Sequence, residues 1–202
     1  MFVSAPFRRE FYARPVLVVA RSMVGCHLVS DTEPGRVVVR VTEVEAYAGA
    51  DDGASHAHRG QTARNAAMFG PPGHAYVYFT YGMHWCLNVV AEADRVPAAV
   101  LVRAGEVIEG VETARSRRTP GKDRDLARGP ARLAQALGIT GDVNGADLTR
   151  ADGALHLRAG SPPADGQITE GPRVGIRSAT QLPWRLWITG DPTVSTFRPA
   201  AT

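Results

Sequence analysis

One lysine, Lys122, stands against 22 arginines, so the basic charge is almost wholly guanidinium. Schiff-base mechanisms need an amine nucleophile and have a single side-chain candidate here. Cysteine is almost as scarce. Cys26 and Cys86 form neither a zinc-binding spacing nor a disulfide framework, and read as small buried hydrophobes in a reducing compartment. Long apolar runs are missing too: none exceeds five residues, as in Val16 to Ala20, far below the ~18 that span a bilayer. The first nine residues carry no positive segment followed by an apolar one, so no secretory signal is visible. Repeats and low-complexity blocks are absent as well.

What remains is ordinary globular material. The 202 residues are 44% hydrophobic and 21% charged, which excludes wholesale disorder. The length suits one large domain or two small ones, and no linker marks a boundary, so one domain over 1–202 is expected. A net charge of +3 permits a polyanionic partner without demanding one. Alanine and glycine are abundant beside arginine, so coding composition accounts for most of the arginine total.

Residues 8–24 mix apolar and charged positions at helical spacing, with Pro15 dividing them and Gly25 ending them. Strands at 26–30 and 35–47 flank a Glu33-Pro34-Gly35 turn; in the second, Val37, Val39 and Val41 alternate with Val38, Arg40 and Thr42. Residues 49–60 read as a polar loop and 61–69 as a short helix capped by Thr62. β-Branched and aromatic residues mark strands at 74–80, 85–92 and 98–105. Helices are expected at 107–114 and 130–137, the latter with Pro130 in its first turn and Gly138 at its end. Between them, 115–125 is charged, broken by Pro and Gly, and expected to be a flexible loop. Turns and short strands follow, the last at 185–189. The fold class is therefore α+β: a single domain with a curved, mainly antiparallel β-sheet flanked by short helices.

Reactive residue types concentrate between Glu43 and Asn88. Glu43 and Glu45 stand two apart on a strand, so they share a face, and Tyr47 follows on it. A carboxylate ending an apolar strand beside an aromatic suits a general base tuned by burial, although two solvated surface glutamates fit the spacing as well. Asp51, Asp52, His56, His58 and His74 supply metal-ligand types, but without a helical HExxH frame. Further on, Tyr76 and Tyr78 face one way and Val77 and Phe79 the other, and Tyr81-Gly82 falls at the turn. An aromatic exposed at a turn gains by stacking or inserting. Together these residues suggest a pocket for a planar group with a wedge beside it, and a base flipped from a duplex is such a group. Two other readings stay open. One is a non-catalytic nucleic-acid-binding module using Tyr76, Tyr78 and Tyr81 as a stacking platform; the other is a metal hydrolase built on Asp52, His56 and His58.

Thr42-Glu43-Val44-Glu45-Ala46-Tyr47, Ser55-His56 with Arg59-Gly60-Gln61-Thr62-Ala63-Arg64-Asn65, and Met68-Phe69 belong to one co-linear series. It continues with Tyr76-Val77-Tyr78, Tyr81-Gly82-Met83, Asn88, Val100-Leu101-Val102-Arg103-Ala104, Arg128-Gly129-Pro130 and Arg173-Val174-Gly175-Ile176. The series resembles the alkyladenine (3-methyladenine) DNA glycosylase family, in its compact bacterial form, over nearly the whole chain. That resemblance implies a general base at Glu45, with Arg103 and the Val174 carbonyl helping to hold the attacking water. It implies that Tyr47 stacks on one face of a flipped base, that His56 and Tyr78 close the other, and that the His56 backbone amide reads the base edge. Asn88 would crowd the minor-groove side, Tyr81 would wedge into the duplex with Met83 beside it, and Arg59, Thr62, Arg64 and Arg128 are candidates for DNA-backbone contact. The expected partner is double-stranded DNA containing damaged purines, met by a monomer in the cytoplasm at the nucleoid, with no cofactor and no metal. Ala57-His58 and Trp85 fall where family members vary, which leaves fine substrate preference open. With Lys122 far from the cluster in sequence, water rather than an amine is the expected nucleophile.

Overall fold

Pro15 divides the N-terminal helical stretch into α1 (Arg9–Tyr12) and α2 (Val16–Met23) in the computed structural model, which describes residues 4–80, 82–118, 121–164 and 166–200. α2 buries Val16, Val19, Ala20 and Met23 at helical spacing, and the chain then turns at Gly25, whose φ of +85° favours a residue without Cβ. Strands β1 (His27–Thr32) and β2 (Gly35–Ala48) form a hairpin. β3 (Ala75–Thr80), β4 (His84–Ala91) and β5 (Ala98–Glu109) form a meander, and β6 (Leu155–Arg158), β7 (Ile168–Gly171) and β8 (Arg185–Ile188) complete an eight-stranded sheet. Every pairing among the described residues is antiparallel. The order is β3-β4-β5-β2-β1-β6, with β8 against β2 and β7 beyond it. The 14-residue β2 is the spine: β5 runs along one edge, while β1 and then β8 share the other.

The core lies between the sheet and the helices α2 and α4 (Pro130–Ala136), and includes Val19, Met23, Leu28, Val100, Leu133 and Leu137. Each such side chain contributes about 1.5–3 kcal/mol by leaving water. Cys26 and Cys86 are both buried and unpaired. No helix of the described residues is long and apolar enough to cross a membrane.

Two expectations fail. β5 runs on to Glu109, and α3 (Val111–Ser116) begins only after it, where a helix was expected over 107–114. Val107 and Glu109 pair with Val39 and Val38, and Gly110 in the left-handed region starts the helix late, so sheet pairing overrides local propensity. In 61–69 only Ala66–Phe69 is helical, as a 3-10 turn; upstream, Thr62 and Asn65 close a turn on each other through reciprocal hydrogen bonds. Within 115–125, Arg115 and Ser116 finish α3 and Asp123 pairs with Arg115, while Thr119 and Pro120 lie outside the described residues.

One irregularity in β2 creates the site. Val41 faces Gly105, Glu43 faces Ala104 and Val44 faces Val102, so Thr42 and Arg103 have no opposite residue. Such a slip exchanges the two faces of a strand. Before it the odd-numbered Val37, Val39 and Val41 enter the main core; after it the even-numbered Val44 and Ala46 do. Glu43, Glu45 and Tyr47 are thereby turned out of the core onto the opposite face.

Candidate active site

On that face the register sets a row across the sheet: Tyr76 pairs with Asn88, Asn88 with Leu101, Leu101 with Glu45 and Glu45 with Arg185. Laterally paired residues point the same way, and residues two positions along do too. Tyr78, Cys86, Tyr47 and Arg103, each two positions along its strand from a member of the row, therefore extend the same surface. A cleft of about 510 Å³ opens over this surface. Tyr47, Tyr76, Tyr78, Asn88 and Arg103 line its floor, the His56 loop forms one wall, and Val174 to Ser178 form another.

Glu45 is fully buried beneath the lining. Its Oε1 accepts the Val174 N–H at 2.7 Å; its Oε2 accepts the Tyr47 hydroxyl at 2.8 Å and Arg103 Nη1 at 3.3 Å. All three partners line the cleft. Burial and the neighbouring Glu45 carboxylate push the Tyr47 phenol well above its ordinary pKa, so the hydroxyl keeps its proton and donates. Glu43, also fully buried, accepts from Arg103 Nε, Arg185 Nε and both the N–H and hydroxyl of Ser195. Burial alone would raise its pKa, but Arg103, Arg185 and Ser195 outweigh it and hold the carboxyl below its usual range.

Tyr47 is backed by a second buried ion pair. The Arg173 guanidinium lies 4.6 Å from the Tyr47 ring centre and 5.2 Å from that of Trp184, bound by both oxygens of Asp52 and by the Ala46 carbonyl. Arg173 is 2% exposed and Asp52 1%. Nothing in local spacing announces this pair, which joins positions 121 apart.

His56 stands exposed on the cleft wall, its ring 4.5 Å from that of Tyr78 at 73°, with Nδ1 sharing a 2.9 Å hydrogen bond with the Tyr76 hydroxyl. Partial burial of the ring, with the positive Arg64 nearby, holds the His56 pKa below its ordinary value. Burial pushes Tyr76 up to about 12 and Tyr78 higher still. Asn65 fixes the loop by donating to the His56 and Gly60 carbonyls. Asn88 donates its amide to the Tyr76 carbonyl at 3.0 Å, which sets the amide's orientation.

Arg59, Thr62 and Arg64 are exposed on the segment after His56; Arg64 donates to the Phe79 carbonyl and leans over the Tyr78 ring. Met83 is 65% exposed on the β3–β4 turn. Tyr81 lies outside the described residues. Arg128 is half-buried and donates to the Val194 carbonyl and Asp125. The ligand types considered for a metal are committed separately: Asp52 to Arg173, His56 to Tyr76, and His58 to the Ala50 carbonyl. No group of three or more His, Cys, Asp or Glu among the described residues is placed to hold a metal ion.

An aromatic cleft set over a buried carboxylate and its guanidinium is a site built to grip a flat group beside charge that can stabilise a cation. The class of protein is given by the chain's relatives, which are DNA glycosylases of base-excision repair. The profile of the methylpurine-DNA glycosylase family matches residues 10–192, and the chain belongs to that family. Relatives of similar length bear the name "putative 3-methyladenine DNA glycosylase". One from Streptomyces avermitilis is 52% identical over 96% of this chain and 92% of its own. Others are from Burkholderia lata, 51% identical over 93% and 89%, and from Methanocella arvoryzae, 48% identical over 95% and 96%.

Proposed function

We propose that this glycosylase flips alkylated or deaminated purines out of duplex DNA, hydrolyses the N-glycosidic bond with an activated water and leaves an abasic site. The substrates are of the 3-methyladenine type named for its relatives, whose cationic base leaves neutral; hypoxanthine and ethenoadenine, neutral in DNA, are excised with a proton delivered to the departing purine. Glu45 carries the reading. A carboxylate accepts about four hydrogen bonds, and three reach Glu45 from the protein, so its acceptor capacity is not filled and one position is left for the attacking water to use. Glycosidic cleavage builds positive charge on the sugar, so this carboxylate both stabilises that charge and takes the water's proton. Arg103 and the Val174 carbonyl hold the same water.

Tyr47 stacks on one face of the flipped base and His56 with Tyr78 close the other, a slot that favours cationic alkylated purines. Asn88 crowds the edge where a guanine amino group would lie, and the His56 backbone amide reads the base edge. Tyr81, with Met83 beside it, refills the duplex and offsets part of the unstacking cost of a few kcal/mol. Arg59, Thr62 and Arg64 contact the DNA backbone; Arg128 does so only by leaving its Val194 and Asp125 partners. The enzyme acts as a monomer at the nucleoid, over a single domain. Lys122 is exposed and outside the cleft lining, in keeping with water as nucleophile.

The test is incubation with duplexes carrying one 3-methyladenine, hypoxanthine or ethenoadenine, or no lesion. Release of free base with an alkali-labile, otherwise intact strand is expected. Release of no base from any duplex, or a covalent adduct trapped by borohydride, overturns the proposal.

A further inference from the structure

Beside Glu45 stands a second buried carboxylate to which the proposed chemistry gives no task. Glu43 Oε1 receives Arg103 Nε at 2.8 Å, Arg185 Nε at 2.7 Å and the Ser195 hydroxyl at 2.9 Å, while Oε2 receives the Ser195 N–H at 2.7 Å. Arg185 is braced in turn by the Ser195 carbonyl at 2.9 Å and by the Trp187 ring at 4.5 Å. Ser195 comes from the C-terminal segment, beyond residue 192 where the family match ends. The same segment crosses behind the cleft: Val194 accepts from Arg128, Arg198 accepts from the Gly175 N–H, and Thr193 bonds Thr42 at the bulge.

We propose that Glu43, held by Ser195, is a positioning residue for base excision: it fixes the plane of the Arg103 guanidinium so that the opposite edge meets Glu45. A guanidinium is a rigid planar fork, so pinning one nitrogen sets the directions of the other two. In Arg103 all three are engaged, Nε on Glu43, Nη1 on Glu45 and Nη2 on the Ser195 hydroxyl at 3.4 Å. The bulge makes this pinning necessary, because Arg103 has no opposite residue on β2 to hold its backbone in register. Without the Glu43 anion, Arg103 and Arg185 are left as adjacent like charges. Arg103 then turns toward Glu45 and competes for the acceptor site that the water needs.

The inference rests on Glu45 being the catalytic base, and a mutant cycle separates the two ideas. Single-turnover excision, affinity for lesion duplex and melting temperature are measured for wild type, Glu43→Gln, Ser195→Ala, Glu45→Gln and the double variants with Glu45→Gln. Glu43→Gln is expected to slow excision about tenfold or more in the wild-type background. With Glu45→Gln already present the further loss is expected to stay under about twofold, because the unit it positions is already disabled. Affinity is expected to stay within about twofold of wild type throughout. Equal losses in both backgrounds, or a loss confined to affinity, overturn the positioning role. If Glu43→Gln does not fold, Ser195→Ala, which removes one hydroxyl, decides through the same cycle with an expected loss of about threefold or more. Slow Glu45→Gln beside a full-speed, folded Glu43→Gln refutes the positioning role alone. Full-speed Glu45→Gln refutes the base, and this inference with it.

Discussion

Asp52→Asn isolates the ion pair behind Tyr47. Asp52 and Arg173 are both fully withdrawn from solvent as side chains, and the guanidinium is bound by both carboxylate oxygens. Asparagine keeps the shape but removes the charge and turns an NH₂ donor toward a guanidinium that can only donate. Removing one member of a buried pair costs about 3–5 kcal/mol, because the surviving charge stays buried without a counter-ion. For a domain of this size each kcal/mol lowers the melting temperature by about 2–4 °C, so a fall of about 6–20 °C follows. Replacing both partners, as Asp52→Leu with Arg173→Met, removes the desolvation cost along with the attraction and recovers part of that fall, the remainder reflecting the Ala48 and Ala54 N–H groups and the Ala46 carbonyl that lose their partners. Scanning calorimetry reads both variants. Single-turnover excision reads the consequence at the cleft, since Arg173 lies 4.6 Å behind the Tyr47 ring whose hydroxyl bonds Glu45. An Asp52→Asn protein that melts within about 2 °C of wild type, or a double variant worse than the single, refutes the reasoning.

Stability should also follow the buried acids. Glu43, Asp52 and the partly buried Asp191, which pairs with Arg40 and accepts from Thr193, all have folded pKa values held below their ordinary ones, because charge pairing and hydrogen bonds outweigh the burial that opposes them. The unfolded chain therefore binds more protons at low pH, so the stabilisation is complete above the ordinary carboxylate range of about 4 and is lost as pH falls through the depressed values. Urea unfolding at pH 7, 5 and 3 is expected to give similar midpoints at the first two and a clear drop at the third; equal midpoints at 5 and 3 refute it. His56, whose pKa is lowered by partial burial and Arg64, is expected to titrate by NMR below the ordinary value of about 6.5. A midpoint at or above that value contradicts the packing described for it.

Much of the frame was legible because it is written locally. Pro15 split the first helix, the tyrosine alternation placed Tyr76 and Tyr78 on one face, and Pro130 with Gly138 bracketed α4. Glu43, Glu45 and Tyr47 were correctly set on a common face, but the valine alternation before them continues that face into the core. Only pairing with β5 inserts the slip at Thr42 that reverses it. The late start of α3 has the same origin, since Val107 and Glu109 answer to Val39 and Val38 rather than to their neighbours. The supports of the site were not legible at all. Asp52 meets Arg173 across 121 positions and Glu43 meets Ser195 across 152, and a lone arginine or serine carries no local sign of such a partner. Asn65, in sequence only one residue of the 59–65 motif, is the clamp on the His56 loop.

The central claim, that Glu45 activates the water that displaces the base, is tested most directly by Glu45→Gln. Glutamine preserves the side chain's size but cannot take a proton from water. Single-turnover excision from a 3-methyladenine or hypoxanthine duplex should slow by at least ~10²-fold, while affinity for the same duplex stays near that of wild type. Excision by Glu45→Gln at the wild-type rate would contradict the account.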